Sequence, residues 1–243
     1  MTTVKLIALD MDGTLLNEDD IITDFTKNAI KDALEKGVHV VLSTGRWLGN
    51  SYPYAEELGL TSYLITVNGG QIWTMDKELV EEHLLETKKL EQMHYLAREM
   101  GVDSWMVATD GVFRNILPND YLERKWLKFG CHTDDADKLE KIIQELSHDD
   151  TLELTNSMPN NIEVNPIGVH KASALRKVCA KLGFSMENVL ACGDSLNDMK
   201  MIQEAGIGVA MGNAQEAIKN AADYVTDHHN HDGVGKAIAK FVL

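Results

Sequence analysis

Hydrophobic and polar positions alternate along the chain in two distinct rhythms. Val4–Leu9, with Leu6-Ile7-Ala8-Leu9 at its centre, reads as a parallel strand buried on both faces. Phe25, Ala29, Ile30, Ala33 and Leu34 then recur at helical spacing, and Gly37 supplies a stop signal. Val38–Leu42 is the next expected strand, Trp47–Leu58 a helix ending at Gly59, and Tyr63–Val67 a third strand. Asn68-Gly69-Gly70 has the composition of a hairpin-type turn into Gln71–Met75. The far end repeats the strand–helix alternation. Helices are expected at Lys171–Leu182, Asp198–Ala205, Ala214–Asn220 and Val234–Phe241, with strands at Val189–Cys192, Ile207–Ala210 and Tyr224-Val225. Such alternation predicts right-handed crossovers in a doubly wound parallel sheet.

The middle of the chain has the second rhythm. A helix at Lys88–Met100 precedes paired strands at Ser104–Ala108 and Gly111–Arg114. A helix at Ala136–Leu146 then precedes strands at Leu152–Thr155 and Ile162–Val164. Helix–strand–strand twice over predicts an antiparallel sheet with helices on one face. The expected fold class is therefore α/β, a doubly wound parallel sheet carrying a smaller inserted α+β domain. Linkers near His83–Glu86 and Asn165–Val169, where Pro166 and Gly168 fall, divide the chain into 1–83 plus 166–243 and an insert of 84–165.

Composition narrows the functional classes. The 243 residues carry a formal net charge of −15, which disfavours nucleic acid while leaving small anions to local donors. A strongly acidic chain that handles phosphate calls for a divalent cation. No apolar stretch approaches the ~20 residues of a membrane span, and the N-terminus lacks a signal-peptide pattern. Cys131, Cys179 and Cys192 are scattered and odd in number, which fits a reducing cytoplasm better than a disulfide framework.

The chemistry-bearing residues fall at strand-to-helix junctions. Asp10-Met11-Asp12-Gly13-Thr14 follows the first strand, where open α/β sheets bind ligands. Two carboxylates so close repel unless a cation intervenes or one is protonated, and Gly13 permits a tight turn. Ser43-Thr44-Gly45-Arg46 follows the second strand and offers a hydroxyl and a backbone N–H to a phosphate oxygen. Lys171 opens a helix, against the dipole preference for that position. Gly193-Asp194-Ser195-Leu196-Asn197-Asp198 supplies hard oxygen ligands suited to Mg²⁺.

In this order these segments resemble the four motifs of the haloacid dehalogenase-like hydrolase superfamily, and among them the Cof-type phosphatases with a cap between the second and third motifs. Ala205–Ala214 and Asp232-Gly233-Val234 are similar to that family's C-terminal pattern. The resemblance implies Asp10 as nucleophile and Asp12 as general acid/base. It implies Mg²⁺ on the Asp10 carboxylate, the Asp12 backbone carbonyl and Asp194, with Asp198 behind them. Met11 N–H, Thr44, Gly45, Lys171 and Asn197 would contact the phosphoryl group. Asp at position 12, where the superfamily's transport ATPases carry Thr, implies a phosphatase or a phosphomutase. The implied partner is a small phosphate ester such as a sugar phosphate, with neither nucleic acid nor membrane. A sugar phosphomutase and a non-catalytic binding protein of the same fold are the competing readings.

Two weaker signals remain. His228-His229-Asn230-His231 reads as a polar loop before the last helix rather than a transition-metal site. Trp73, Trp105 and Trp126 are candidates for a pocket wall, although packing is the commoner role for each.

Overall fold

The structure, a computed structural model, describes residues 3–243. From the N-terminus, β1 (Leu6–Leu9) leads through α1 (Asp24–Glu35) to β2 (His39–Ser43), and α2 (Leu48–Glu57) leads to β3 (Tyr63–Thr66). β4 (Gln71–Thr74) and β5 (Leu79–Glu82) follow. The middle segment contains α3 (Thr87–Met100), β6 (Asp103–Ala108), β7 (Gly111–Arg114), β8 (Trp126–His132), α4 (Ala136–Leu146), β9 (Leu152–Thr155) and β10 (Asn161–Pro166). The chain closes with α5 (Lys171–Leu182), β11 (Val189–Gly193), α6 (Met199–Glu204), β12 (Ile207–Ala210), α7 (Glu216–Ala221), β13 (Tyr224–Val225) and α8 (Gly233–Phe241).

Two sheets result. The larger runs β13-β12-β11-β1-β2-β3-β4-β5, parallel as far as β3 and antiparallel at β4 and β5. Its centre explains why β1 reads as a solid apolar run. Ile7 and Leu9 enter one hydrophobic cluster with α1 and α8, while Leu6 and Ala8 enter another with α5. All four are fully buried, and each large aliphatic side chain so placed contributes about 1.5–3 kcal/mol. The smaller sheet, β7-β6-β8-β10-β9, is antiparallel throughout, and its own cluster joins α3 and α4 to one face.

Two strands depart from the sequence expectation. β8 lies between Arg114 and Ala136, where the sequence pattern predicts no element, so the first helical unit of the insert carries three strands rather than two. It is the central strand of the smaller sheet, with Phe129 and Cys131 packed towards the helices and Lys128 and Gly130 on the opposite face. A lysine and a glycine at alternate positions erase the apolar signature of a buried strand. β5 is an edge strand of sequence Leu-Val-Glu-Glu, without an apolar face to announce it. The Asn68-Gly69-Gly70 turn does connect antiparallel strands, but as a 3₁₀ turn over Val67–Gly69. Val67 and Asn68 both adopt positive φ, +54° and +57°. For a β-branched residue that is strained backbone.

Candidate active site

Strand order brings the motifs together. β11, β1 and β2 are parallel neighbours, so Asp194, Asp10 and Thr44–Arg46 emerge side by side at the same edge of the sheet. α5 delivers Lys171 from its first turn. His170 and Ser173 form a reciprocal cap that fixes this helix start. The Lys171 ammonium is fully buried and donates to Asp10 Oδ1 at 2.6 Å and to Asp198 Oδ1 at 2.7 Å. That pairing offsets its unfavourable place on the helix dipole.

Two glycines permit the close approach of the acids. Gly13 has φ +75°, and a Cβ there would sit 2.7 Å from Asp194 Oδ2. A Cβ at Gly193 would overlap the Asp198 carboxyl group. Asp194 is held by the Thr14 hydroxyl at 3.1 Å and the Ser195 hydroxyl at 2.8 Å. Asp198 Oδ2 accepts from the backbone N–H groups of Asp194 and Ser195 at 3.0 and 3.2 Å.

Oxygen atoms of Asp10, Asp194 and Asp198 lie within 4.8 Å of one another. Burial, then repulsion from Asp198, holds the Asp10 carboxyl well above the usual carboxylate range despite Lys171. The same two causes push Asp194 up to about 6. Burial alone would lower the Lys171 pKa, yet Asp10 and Asp198 raise it above the ordinary lysine value. Two buried carboxylates, Asp10 and Asp198, and the partly buried Asp194 thus face one ammonium. A hard divalent cation fits this donor set and relieves its excess negative charge.

The remaining candidates divide. The Thr44 hydroxyl accepts from Arg46 N–H at 3.0 Å, and Gly45 N–H has no hydrogen-bond partner among the described residues. Asn197 is nearly buried, with Oδ1 unpartnered. Met11 has its side chain in the core, so only its backbone can serve the site. The Asp12 side chain does not join the acidic cluster. Arg46 holds it instead, with Nε 2.9 and 3.1 Å from its two oxygens, and also pairs with Asp20 at 2.9 Å. Among the described residues, the histidines of the 228–231 loop form no metal cluster with other ligating side chains. His229 braces the segment just after the first motif, with Nδ1 2.7 Å from Leu16 O.

A cleft of about 400 Å³ opens above Asp10 and Asp12 and is walled by the inward face of the smaller sheet. Lys128 and Glu163 from that face form a buried ion pair at 2.9 Å. Lys128 also donates to Gly45 O at 2.9 Å, and Asn68 donates to Glu163 at 2.6 Å. The strained turn is gripped from both sides. Val67 N–H donates to Arg46 O and Asn68 N–H to Thr44 O, while Asn165 of β10 donates to Val67 O at 3.1 Å. Sequence reasoning placed Arg46 in the second motif without giving its side chain a role, and named none of Asn68, Lys128 or Glu163 as a site residue. The available signal was a lone charge inside each strand pattern, in Trp-Leu-Lys-Phe and Asn-Ile-Glu-Val. Trp126 and Trp73 are packing residues as expected, whereas Trp105 lines the cleft.

A family model for haloacid dehalogenase-like hydrolases matches residues 7–121 and 113–238. The chain belongs to this family. It is 50% identical over 240 residues to a 5-amino-6-(5-phospho-D-ribitylamino)uracil phosphatase of Bacillus subtilis, covering 99% of this chain and 96% of that protein. A pyridoxal phosphate phosphatase of Escherichia coli is 30% identical, covering 99% of this chain and 100% of that protein. A solved haloacid dehalogenase-like hydrolase from B. subtilis superposes with a TM-score of 0.90 at 26% identity, covering 99% of this chain and 100% of that one. With phosphatases as full-length relatives, the chain is an enzyme, a phosphatase of the haloacid dehalogenase-like superfamily. No helix among the described residues is long and apolar enough to cross a membrane.

Proposed function

We propose that this phosphatase hydrolyses small phosphate monoesters through an aspartyl-phosphate on Asp10, with Mg²⁺ as cofactor. Its favoured substrate is 5-amino-6-(5-phospho-D-ribitylamino)uracil. The observation that carries the reading is Asp10 itself: buried at a sheet edge, 2.6 Å from an ammonium and grouped with two further carboxylates beneath a cleft. The substrate follows from the relative at 50% identity.

Asp10, Asp194 and Asp198 would hold the cation, with the Asp12 carbonyl, and its charge neutralises that of the phosphoryl oxygens. Lys171, Thr44, Gly45 N–H, Asn197 and Met11 N–H orient the phosphoryl group, which is most of what phosphoryl transfer asks of a protein. An Asp10 oxygen bonds to phosphorus as the ester oxygen departs, and Asp12 gives that oxygen its proton. Asp12 then takes a proton from water, whose oxygen attacks phosphorus. The Asp10–phosphorus bond breaks, inorganic phosphate leaves, and the Asp10 carboxylate is restored. Asp12 must exchange Arg46 for the leaving oxygen during this cycle, so Arg46 parks the acid/base between turnovers.

Residues 84–165 act as the cap in this scheme, closing over a core made of 1–83 and 166–243, and so exclude bulk water during transfer. Three buried free thiols are consistent with a cytoplasmic enzyme. The deciding experiment is phosphate release from a panel of phosphorylated metabolites with Mg²⁺ and after exhaustive chelation. The ribitylaminouracil ester should give the highest kcat/KM, and chelation should silence every substrate. Undiminished activity without divalent cation, or indifference to the ribitylaminouracil ester, would overturn the corresponding part.

A further inference from the structure

Strand register arranges the inward face of the smaller sheet into two rows. Trp105 pairs with Arg114 on one side and Gly130 on the other, and Gly130 pairs with Glu163. The first row is therefore Arg114–Trp105–Gly130–Glu163. In the second row Val107 stands between Val112 and Lys128. Both rows wall the cleft over Asp10.

Gly130 is what lets Trp105 lie down. A Cβ at that position would overlap the indole ring, so the ring lies across the bare backbone of β8. Four tryptophans occur in the chain, and their N–H groups divide by location. Trp126 donates to Tyr121 O at 2.9 Å and Trp73 to Gln71 at 3.2 Å. The two that line the cleft, Trp105 and Trp47, donate to no group among the described residues. Arg114, next to Trp105 in the row, is exposed and makes no ion pair among the described residues. An indole N–H and a guanidinium left free beside a flat aromatic surface suit a planar ring rich in carbonyl oxygens. On the other side of Gly130 the donors suit hydroxyls. Lys128 spends two of its three N–H groups on Gly45 O and Glu163, which leaves one, and Glu163 retains lone pairs beyond those taken by Lys128 and Asn68.

We propose that Trp105 is the platform on which a planar nitrogen heterocycle of the leaving group stacks, read at its rim by Arg114, while Lys128 and Glu163 take hydroxyls of the arm joining that ring to the phosphate. This rests on the ribitylaminouracil reading above and assigns each part of that substrate a place. It also extends to other heterocycles that carry phosphate on a side arm.

The test compares wild type, Trp105→Ala, Trp105→Phe and Arg114→Ala on three esters. Two bear a ring, the ribitylaminouracil phosphate and pyridoxal 5′-phosphate, and ribitol 5-phosphate has none. For Trp105→Ala the ratio of kcat/KM for each ring-bearing ester to that for ribitol 5-phosphate should fall roughly tenfold or more, the size of one lost base–aromatic stack. The fall should reside in KM. Trp105→Phe should restore most of the ratio, and Arg114→Ala should lower it by a smaller factor. An unchanged ratio in Trp105→Ala, whatever its overall activity, overturns the platform. A wild type that prefers pyridoxal 5′-phosphate while Trp105→Ala abolishes that preference overturns the ribitylaminouracil reading and keeps the platform. A wild type that cleaves ribitol 5-phosphate at least as well as both heterocyclic esters overturns both.

Discussion

Asp10 and Glu163 are both buried carboxylates that accept a hydrogen bond from a buried lysine, and their protonation equilibria move in opposite directions. Burial raises both. At Glu163 the charge and hydrogen bond of Lys128, with help from Asn68, outweigh it and hold the carboxyl below its ordinary value. At Asp10 the single lysine is outnumbered by Asp198, Asp194 and Asp12, and the carboxyl ends well above. Desolvation is common to the two sites, so the sign is set by the count of like charges. The cap-side cluster is balanced in charge as folded, one carboxylate to one ammonium. The core cluster is short of positive charge, and its three carboxylates are close enough together that they could hold a metal ion.

The largest effect should come from breaking the unbalanced cluster at Asp10, the proposed nucleophile. Asp10→Asn removes the carboxylate proposed to attack and one of the mutually repelling charges together. Turnover of every substrate should drop to background in phosphate-release assays. Thermal stability without divalent cation should hold or rise, because a repulsive neighbour of Asp194 and Asp198 is gone. A fall in melting temperature would show that Asp10 is instead a structural partner of Lys171.

The parallel-sheet core was legible because its elements are locally self-consistent. β1 is apolar at every position since both its faces are covered, and Gly13 and Gly193 stand where acids crowd the backbone. The four core motifs were legible for the same reason, each being a short contiguous string at a strand end. The cap side was not. Lys128 and Glu163 are separated by 35 residues and meet only because β8 and β10 pair, a tertiary fact that no local window contains. Trp105 is similar, since its role depends on the absent side chain of Gly130 on the neighbouring strand. Asp12 lines the cleft, but its pairing with Arg46 across 34 residues needed the fold.

The next effect sharpens the comparison by breaking each lysine's cluster. Lys171→Met strands Asp10 and Asp198, and Lys128→Met strands Glu163. Removing one partner of a buried pair costs about 3–5 kcal/mol, so denaturant unfolding should place both variants in that range. Catalysis should separate them. Lys171→Met should lower kcat for all substrates by roughly 10²–10³, as for loss of a donor to developing charge. Lys128→Met should act chiefly through KM. The balanced pair should also be replaceable as a unit: Lys128→Met with Glu163→Leu should recover most of the lost stability. Equal loss of kcat in both lysine variants would erase the distinction between the clusters.

The smallest effect concerns thiols that sit beneath the two regions. Cys192 lies on β11 under the acidic cluster, and Cys131 lies on β8 in the cap-side sheet. Burial pushes both up to about 12, with Asp198 adding to the effect at Cys192, and burial pushes Cys179 up to about 11. An exposed thiol titrates near 8.5 and its thiolate is the reactive form. Native protein at pH 8 should therefore resist alkylation at all three positions and react fully only when unfolded. Slow labelling of the native state then measures opening of each region separately. Mg²⁺ with phosphate should slow labelling at Cys192, because whatever binds the acidic cluster stabilises the strand that carries Asp194. Cys131, whose neighbouring pair is already balanced, should respond less. Equal protection at both thiols would mean that the two regions open as one unit.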